Sequence, residues 1–291
     1  MLEVIQRSTE FLAQKGVESP RLQAEWLLAH VLGLPRLQLY LNFARGLTDR
    51  EVDQVRQLVK RRGQREPLQH LLGTASFCGL ELKVNRHVLV PRPETEALAE
   101  QARQFLAKRE TPAPAALDFG TGSGCLAITL AVSCPRARCH ALDVSTEALA
   151  VARENATAHG VAERITFCLG EGFAALEPEQ TFDLMVANPP YIPTAEIAAL
   201  MPEVRDHDPR VALDGGPDGL AFYRRLAATG GVRLRAGGRM MLEFGDGQAE
   251  RLRGLFGLHK WVVERLEADY TGRPRILVVG PSHERRAAGA D

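Results

Sequence analysis

Apolar residues recur at helical spacing through the first seventy positions. Leu2, Ile5, Thr9 and Leu12 fall on one face, and Gly16 can end that helix. Ser19-Pro20 offers an N-cap and an N1 proline to "RLQAEWLLAHVL", which Gly33 closes. Thr48-Asp49-Arg50-Glu51 spells a capping box, and Val52, Val55, Leu58 and Val59 form a stripe behind it. The pattern predicts a small helical bundle over residues 1–73. Lys60-Arg61-Arg62 and Arg65 read as a solvated helix end, where basic side chains suit the dipole.

The period then changes. "TASFCGLELKVNRHVLV" is rich in β-formers around a Cys-Gly turn and predicts a hairpin connection over 74–90. The prolines of "PRPETEALAEQARQFLAKR" stop it, and a helix begins near Glu94. "ETPAPAA" is a short exposed connection. From residue 116 strands and helices alternate: "ALDFG", "RCHALD", "ITFCLG", "FDLMVANPPY" and "GRMMLEFG" are strands, with helices near 124–132, 146–159, 219–234 and 247–257. Such alternation makes a mainly parallel α/β sheet. "WVVERLEAD" and "RILVVG" lack a helix between them and predict an antiparallel edge hairpin, giving seven strands in a second domain over 91–291.

The chain has 291 residues, 45% hydrophobic and 25% charged, as in ordinary globular proteins. Its 36 basic and 36 acidic residues cancel, which speaks against a protein built mainly to grip nucleic acid. Five cysteines without a CxxC pair suit neither a zinc site nor a disulfide framework, and read as reduced thiols. The first residues lack a signal peptide's unbroken apolar core, and Glu3 and Glu10 suit a transit peptide poorly. No apolar run reaches the ~18 residues that span a membrane. A cytoplasmic protein is expected. His30, His70, His140 and His159 are scattered, and Trp26 and Trp261 read as packing residues. Asn155-Ala156-Thr157 falls on a predicted helix, so it is discounted as a glycosylation signal.

Three segments carry chemistry. Asp118-Phe119-Gly120-Thr121-Gly122-Ser123-Gly124 joins a strand to a helix, and its alternate glycines let backbone approach a ligand at the helix N-terminus. It lacks the G-x-G-x-x-G spacing of a nicotinamide-binding loop. Read alone, it also fits plain packing. Asp143 ends the next strand, where a carboxylate can accept hydrogen bonds from a ribose diol, or can cap the following helix. Its position after the glycine loop favours the nucleoside. Asn188-Pro189-Pro190-Tyr191 ends an apolar strand in a proline-fixed corner. The Asn188 side-chain oxygen and a proline carbonyl can accept both hydrogens of one NH₂ group, and the Tyr191 ring can stack on a flat conjugated group.

Together these segments resemble the class I S-adenosylmethionine-dependent methyltransferases that act on exocyclic or amide nitrogen. "QHLLGTASFCGLELKVNRHVLVPRPETE" (69–96), "NPPYIP", "DPRVALDGGPDGLAFYRRL" (208–226) and "LEFGDGQ" (242–248) narrow the likeness. They resemble the PrmC/HemK family, the protein-(glutamine-N5) methyltransferases of peptide chain release factors. The resemblance implies a Rossmann-like methyltransferase domain behind a helical domain that recognises the release factor. S-adenosyl-L-methionine is the implied cofactor, and the implied substrate is the glutamine of the GGQ motif in class I release factors. Gly120, Thr121, Gly122, Ser123 and Gly124 would line the methionine and ribose, and Asp143 would hold the ribose hydroxyls. Glu171 and Gly172, with Phe173, would border the adenine. Asn188 would touch cofactor and substrate, with Pro189, Pro190 and Tyr191 completing the clamp. Pro91, Arg92, Glu94 and Thr95 would shape the rim. Cys78 and Gly172 stand where family members often carry aromatic residues. A monomer without metal, membrane or stable nucleic-acid contact is expected. The rival substrate is a nucleobase amino group, which the corner suits equally well. Base-acting enzymes commonly add a basic face, and this chain is neutral. A binding module that keeps the fold without turnover is the remaining alternative, and the complete loop and corner speak against it.

Overall fold

The protein is described over residues 1–282 in a computed structural model; residues 283–291 of the expected second domain lie outside the described residues. The elements run α1 (Leu2–Gln14), α2 (Pro20–Leu32), α3 (Gln38–Leu41), α4 (Asp49–Gly63), α5 (Leu68–Leu72), β1 (Thr74–Phe77) and β2 (Leu80–Lys83). There follow α6 (Pro93–Ala107), β3 (Ala115–Phe119), α7 (Cys125–Ser133), β4 (Arg138–Asp143), α8 (Thr146–Ala158), β5 (Ile165–Leu169) and β6 (Phe182–Ala187). The chain ends with α9 (Pro202–Arg205), α10 (Arg210–Leu213), α11 (Ala221–Thr229), β7 (Leu234–Glu243), α12 (Ala249–Leu258), β8 (Trp261–Ala268) and β9 (Pro274–Pro281).

Two compact units form. The first comprises Met1–Ala75 and Leu200–His207; the second comprises Ser76–Ala199 and Asp208 onward. The first unit's core joins Ile5, Leu12, Leu27, Leu28, Leu39, Val55 and Val59. The Thr48–Glu51 capping box forms as spelled, with Glu51 N donating to Thr48 Oγ1 and Thr48 N donating to Glu51. Ser19 does not cap: it adopts φ 47°, and its side chain makes no capping bond, so Pro20 alone pre-sets the first turn. Two other expectations fail here. Trp26 is 42% exposed, with the Arg36 guanidinium over its ring. Arg62 is not solvated but 4% exposed, donating to Gln23, to the Glu66 carbonyl and to Glu203. Arg65 grips the same Glu203 carboxylate with two donors. A segment distant in sequence thus supplies the charge that lets Arg62 be buried.

The second unit is built on a seven-stranded sheet of order β5-β4-β3-β6-β7-β9-β8. The first five are parallel, and β9 runs antiparallel between β7 and the edge strand β8. β1 and β2 form the hairpin, turned through Cys78 and Gly79 at φ 48° and 77°. One apolar cluster gathers Leu98, Leu126, Ile128, Leu184, Val186 and Val278; another gathers Phe182, Tyr223, Leu242, Phe256 and Leu277. Both faces of the central strands are covered, which is why β3 and β6 are buried at every position. The one charge within β6, Asp183, is fully buried and accepts from Ala115 N, Arg109 and Arg235. Asn155 is buried too; its amide donates to the carbonyls of Lys83 and Ser123, fixing the hairpin against α8. No helix among the described residues is long and apolar enough to cross a membrane.

Candidate active site

The strand order reverses between β3 and β6, and a crevice at the carboxyl ends of the strands is expected there. Sheet register brings the predicted residues to that edge. Phe119 pairs with Leu142, so the glycine loop leaves β3 beside Asp143. Asp118 pairs with Val186, and Ala187 with Leu242, so Asn188 emerges between the loop and Glu243.

Gly120, Gly122 and Gly124 adopt φ of 79°, 55° and 83°, a region costly for residues with a Cβ. Gly120 N and Thr121 N both donate to the Leu142 carbonyl, which holds the turn close to β4. The Asp143 carboxylate accepts from Gly122 N at 2.9 Å and from Ser145 N at 2.9 Å. Ser145, not Asp143, caps α8, its hydroxyl accepting from Ala148 N. Asp118 is buried behind the loop and accepts from Thr121 Oγ1 and Ala127 N. Burial raises its carboxyl to about 7, against the hydrogen bonds that lower it, and its Oδ1 has no partner among the described residues.

Glu171 and Gly172 follow β5 on the far side of Asp143. The Glu171 side chain turns outward to an exposed ion pair with Arg225. Phe173 meets Phe119 edge to face at 5.1 Å, and Phe119 meets Phe222 the same way. This aromatic wall was not anticipated for Phe119 or Phe222.

The Asn188 corner is held from behind. Asn188 Nδ2 donates to Thr95 Oγ1 at 2.9 Å, and its Oδ1 accepts from none of the described residues. Thr95 was expected on the rim, yet it is 1% exposed, because the first turn of α6 faces inward. Its hydroxyl also acts on Glu243, which is 2% exposed. Burial raises Glu243 to about 7, while Thr95, Arg275 and Arg92 draw it back. Arg92 is bound to the buried Asp208 carboxylate at 2.6 Å. Glu94 and Arg92 both act electrostatically on Tyr191, whose hydroxyl burial raises to about 12.

Backbone contacts explain the distinctive glycines of residues 213–219. Ile192 N donates to the Leu213 carbonyl, Gly215 N to Ile192, and Thr194 N to Gly216. Gly219 has φ 74°, and a Cβ there would lie 2.4 Å from the Tyr191 carbonyl oxygen and 2.7 Å from Gln248 Nε2. Gln248 Nε2 donates to the Tyr191 carbonyl, and its Oε1 accepts from Gly245 N. The Tyr191 ring lies against Gly245. Three segments far apart in sequence are thereby locked around the corner. Gln248, Glu243 and Thr95 escaped attention as a unit; the "LEFGDGQ" segment was the available signal.

The edge therefore carries three acidic groups, an aromatic wall and an amide whose oxygen accepts from none of the described residues. Among the described residues no cluster could hold a metal ion. Comparison with known proteins gives the class first. Residues 97–203 match the methyltransferase small domain. The fold is that of a methyltransferase from Pyrococcus furiosus (TM-score 0.54, 18% identity, 77% of this chain and 98% of that one). It is equally that of the hMettl16 catalytic domain solved in complex with MAT2A 3'UTR hairpin 1 (TM-score 0.54, 14% identity, 81% and 82%). The Rossmann-like sheet and its loop are those of a methyltransferase. Residues 3–73 match the PrmC N-terminal domain. The chain is 48% identical over 254 residues to the release factor glutamine methyltransferase of Geobacter sulfurreducens, covering 87% of each. It is 46% identical over 264 residues to that of Chlorobaculum tepidum, covering 88% and 89%. The chain belongs to the release factor glutamine methyltransferase family.

Proposed function

We propose that this protein methylates the side-chain amide nitrogen of the GGQ glutamine in class I peptide chain release factors, acting as a cytoplasmic monomer. The observation that supports the reading is the Asn188 amide, whose Nδ2 is held by Thr95 while its Oδ1 accepts from none of the described residues, next in the chain to Pro189. Two acceptors in that corner suit both hydrogens of one planar NH₂ group. The names of the relatives supply the protein to which that group belongs. Residues 1–73 would recognise the release factor body.

S-adenosyl-L-methionine, when bound, supplies a methyl group already activated on a sulfonium. The site fits a cationic ligand: Asp118, Asp143 and Glu243 gather at the strand ends, and Asp118 Oδ1 and Glu243 Oε2 are buried without partners among the described residues. Gly120, Thr121, Gly122, Ser123 and Gly124 would line the amino-acid part, Asp143 the ribose, and Glu171, Gly172 and Phe173 the base. An amide nitrogen is a poor nucleophile because its lone pair is delocalised. Asn188 and Pro189, by accepting its two hydrogens, favour charge on nitrogen and aim the lone pair. Tyr191 would stack on the flat amide, and Pro190 holds the corner rigid. Each acceptor is worth on the order of 10²–10³ in rate.

The test is labelled methyl transfer to purified release factor, tRNA, rRNA and DNA in parallel. Label in release factor alone, lost when the GGQ glutamine is replaced, is expected. Label in a nucleic acid and none in release factor overturns the reading.

A further inference from the structure

Asn155 lies on α8, and the other buried residues of that helix are apolar: Ala148, Leu149, Val151, Ala152 and Ala156. A buried amide among them is costly unless it is hydrogen-bonded. Its Oδ1 accepts from Lys83 N at 2.7 Å, and its Nδ2 donates to the Lys83 carbonyl at 3.0 Å and to the Ser123 carbonyl at 2.9 Å. A backbone N–H can only donate and a carbonyl can only accept, so these partners fix which end of the amide faces which segment.

The two segments differ in kind. Lys83 ends β2 and with it the hairpin, whereas Ser123 belongs to the glycine loop. Most N–H groups of that loop are spent on the protein itself: Gly120 and Thr121 on the Leu142 carbonyl, Gly122 on Asp143 and Gly124 on the Thr121 carbonyl. Ser123 N donates to none of the described residues. S-adenosylmethionine carries a carboxylate on its amino-acid part, which a backbone N–H receives and a backbone carbonyl repels. The carbonyls of Thr121 and Gly124 are taken by Gly124 N and Ile128 N, within the loop and the first turn of α7. The Ser123 carbonyl is taken instead by the Asn155 amide. Helix α8 comes close enough for this because residue 124 has no side chain: a Cβ there would lie 3.1 Å from the Cβ of Ala152, one turn before Asn155.

We propose that Asn155 is a positioning residue for the cofactor. By drawing the Ser123 carbonyl toward α8, it keeps an acceptor away from the cofactor carboxylate and sets the loop that receives the methionine part. By holding Lys83 as well, it joins that loop to the hairpin. At 2% exposure it acts through Ser123 and not by contact. The inference rests on the glycine loop holding S-adenosylmethionine, as proposed above.

The experiment titrates the whole protein with S-adenosylmethionine by calorimetry, and measures KM for cofactor and for release factor, in Asn155→Ala, Asn155→Asp, His159→Ala and Asp143→Ala. Asn155→Ala leaves the Ser123 carbonyl unheld, and the cofactor Kd should rise about tenfold or more. KM for S-adenosylmethionine should rise with it, while KM for release factor stays within about threefold. Asn155→Asp keeps an acceptor for Lys83 N but sets a carboxylate oxygen against two carbonyls, so its Kd should rise at least as far. His159→Ala is the control for the hairpin alone, because His159 Nε2 lies 2.9 Å from the Glu81 carbonyl of β2. Its cofactor Kd should stay within about twofold of wild type. Wild-type cofactor affinity in either folded Asn155 variant, or an equal loss in His159→Ala, overturns the proposal. Should both Asn155 variants fail to fold, as read by their melting curves, hydrogen exchange in the unsubstituted protein decides. Saturating S-adenosylmethionine should slow exchange of the Lys83 amide, whose proton Asn155 receives, and an unchanged rate overturns the proposal. Asp143→Ala separates the two readings. If it too binds like wild type, the glycine loop is not the cofactor site; if it is weakened while the Asn155 variants are not, only the positioning role falls.

Discussion

Gly219 offers a test of how the corner is held. Its φ of 74° costs an alanine roughly 1–2 kcal/mol. Gly247 has the same φ of 74°, but a Cβ there meets nothing within 4 Å. Gly247→Ala therefore measures the backbone strain alone. At Gly219 the new methyl would also stand 2.4 Å from the Tyr191 carbonyl oxygen and 2.7 Å from Gln248 Nε2. One of these must move, and the 2.9 Å bond from Gln248 to Tyr191 is lost. That bond is worth about 1 kcal/mol, and the buried groups left unpaired cost about 1–3 kcal/mol more. Gly219→Ala should thus be about 2–4 kcal/mol less stable than Gly247→Ala, a melting difference of roughly 4–16 °C. The displaced residue is Tyr191, so turnover should suffer as well. A shift of about 1 Å in a positioned group costs on the order of 10² in kcat, whereas Gly247→Ala should stay near wild type. Scanning calorimetry and a methyl-transfer assay on the two variants make the comparison. If both variants melt and turn over alike, the locking of Tyr191 by Gly219 and Gln248 is refuted.

Further outcomes follow from the same contacts. Burial raises Glu243 to about 7 from an ordinary 4.5, so the folded form binds that proton more tightly than the unfolded one. Its contribution is present below about 4.5 and is lost as pH rises to 7, by at most about 3 kcal/mol. The melting temperature of Glu243→Gln should therefore fall less between pH 5 and 7.5 than that of wild type; parallel curves would contradict it. Glu203→Ala leaves the buried Arg62 guanidinium without its carboxylate and should cost about 3–5 kcal/mol. Hydrogen exchange should then quicken across residues 200–207, and unchanged protection there would count against the account. Asp143→Ala frees two backbone N–H groups that the carboxylate now receives. It should weaken S-adenosylmethionine binding by calorimetry about 10–100-fold, allowing about 1.4 kcal/mol per tenfold. A change within threefold would remove Asp143 from the cofactor site.

Much of this was legible in the chain. Strand and helix alternation gave the sheet, and the missing helix before "RILVVG" foretold the antiparallel edge that β8 and β9 form. The glycine loop, Asp143 and Asn188 each end or follow a strand, and parallel register necessarily gathers such residues at one edge. What stayed hidden depends on contacts that no period encodes. Thr95 and Glu243 belong to different segments, and only the packing of α6 against β7 brings the one to act on the other. Arg62 reads as a surface charge until Glu203, from a segment between two sheet strands, folds into the first unit. Ser19-Pro20 has the composition of a cap, but the positive φ of Ser19 turns its side chain away from that task. The glycines of residues 215–219 entered only through the family resemblance, while their role is to let the Tyr191 backbone approach.

The central claim is that Asn188 presents an acceptor to a glutamine amide. Its most direct test is mass spectrometry of the GGQ peptide after incubation of release factor and S-adenosylmethionine with wild type or Asn188→Ala. One added methyl on the glutamine side-chain nitrogen with wild type, and none with folded Asn188→Ala, is the predicted result. A methyl on another residue, or equal glutamine methylation by the variant, would contradict it.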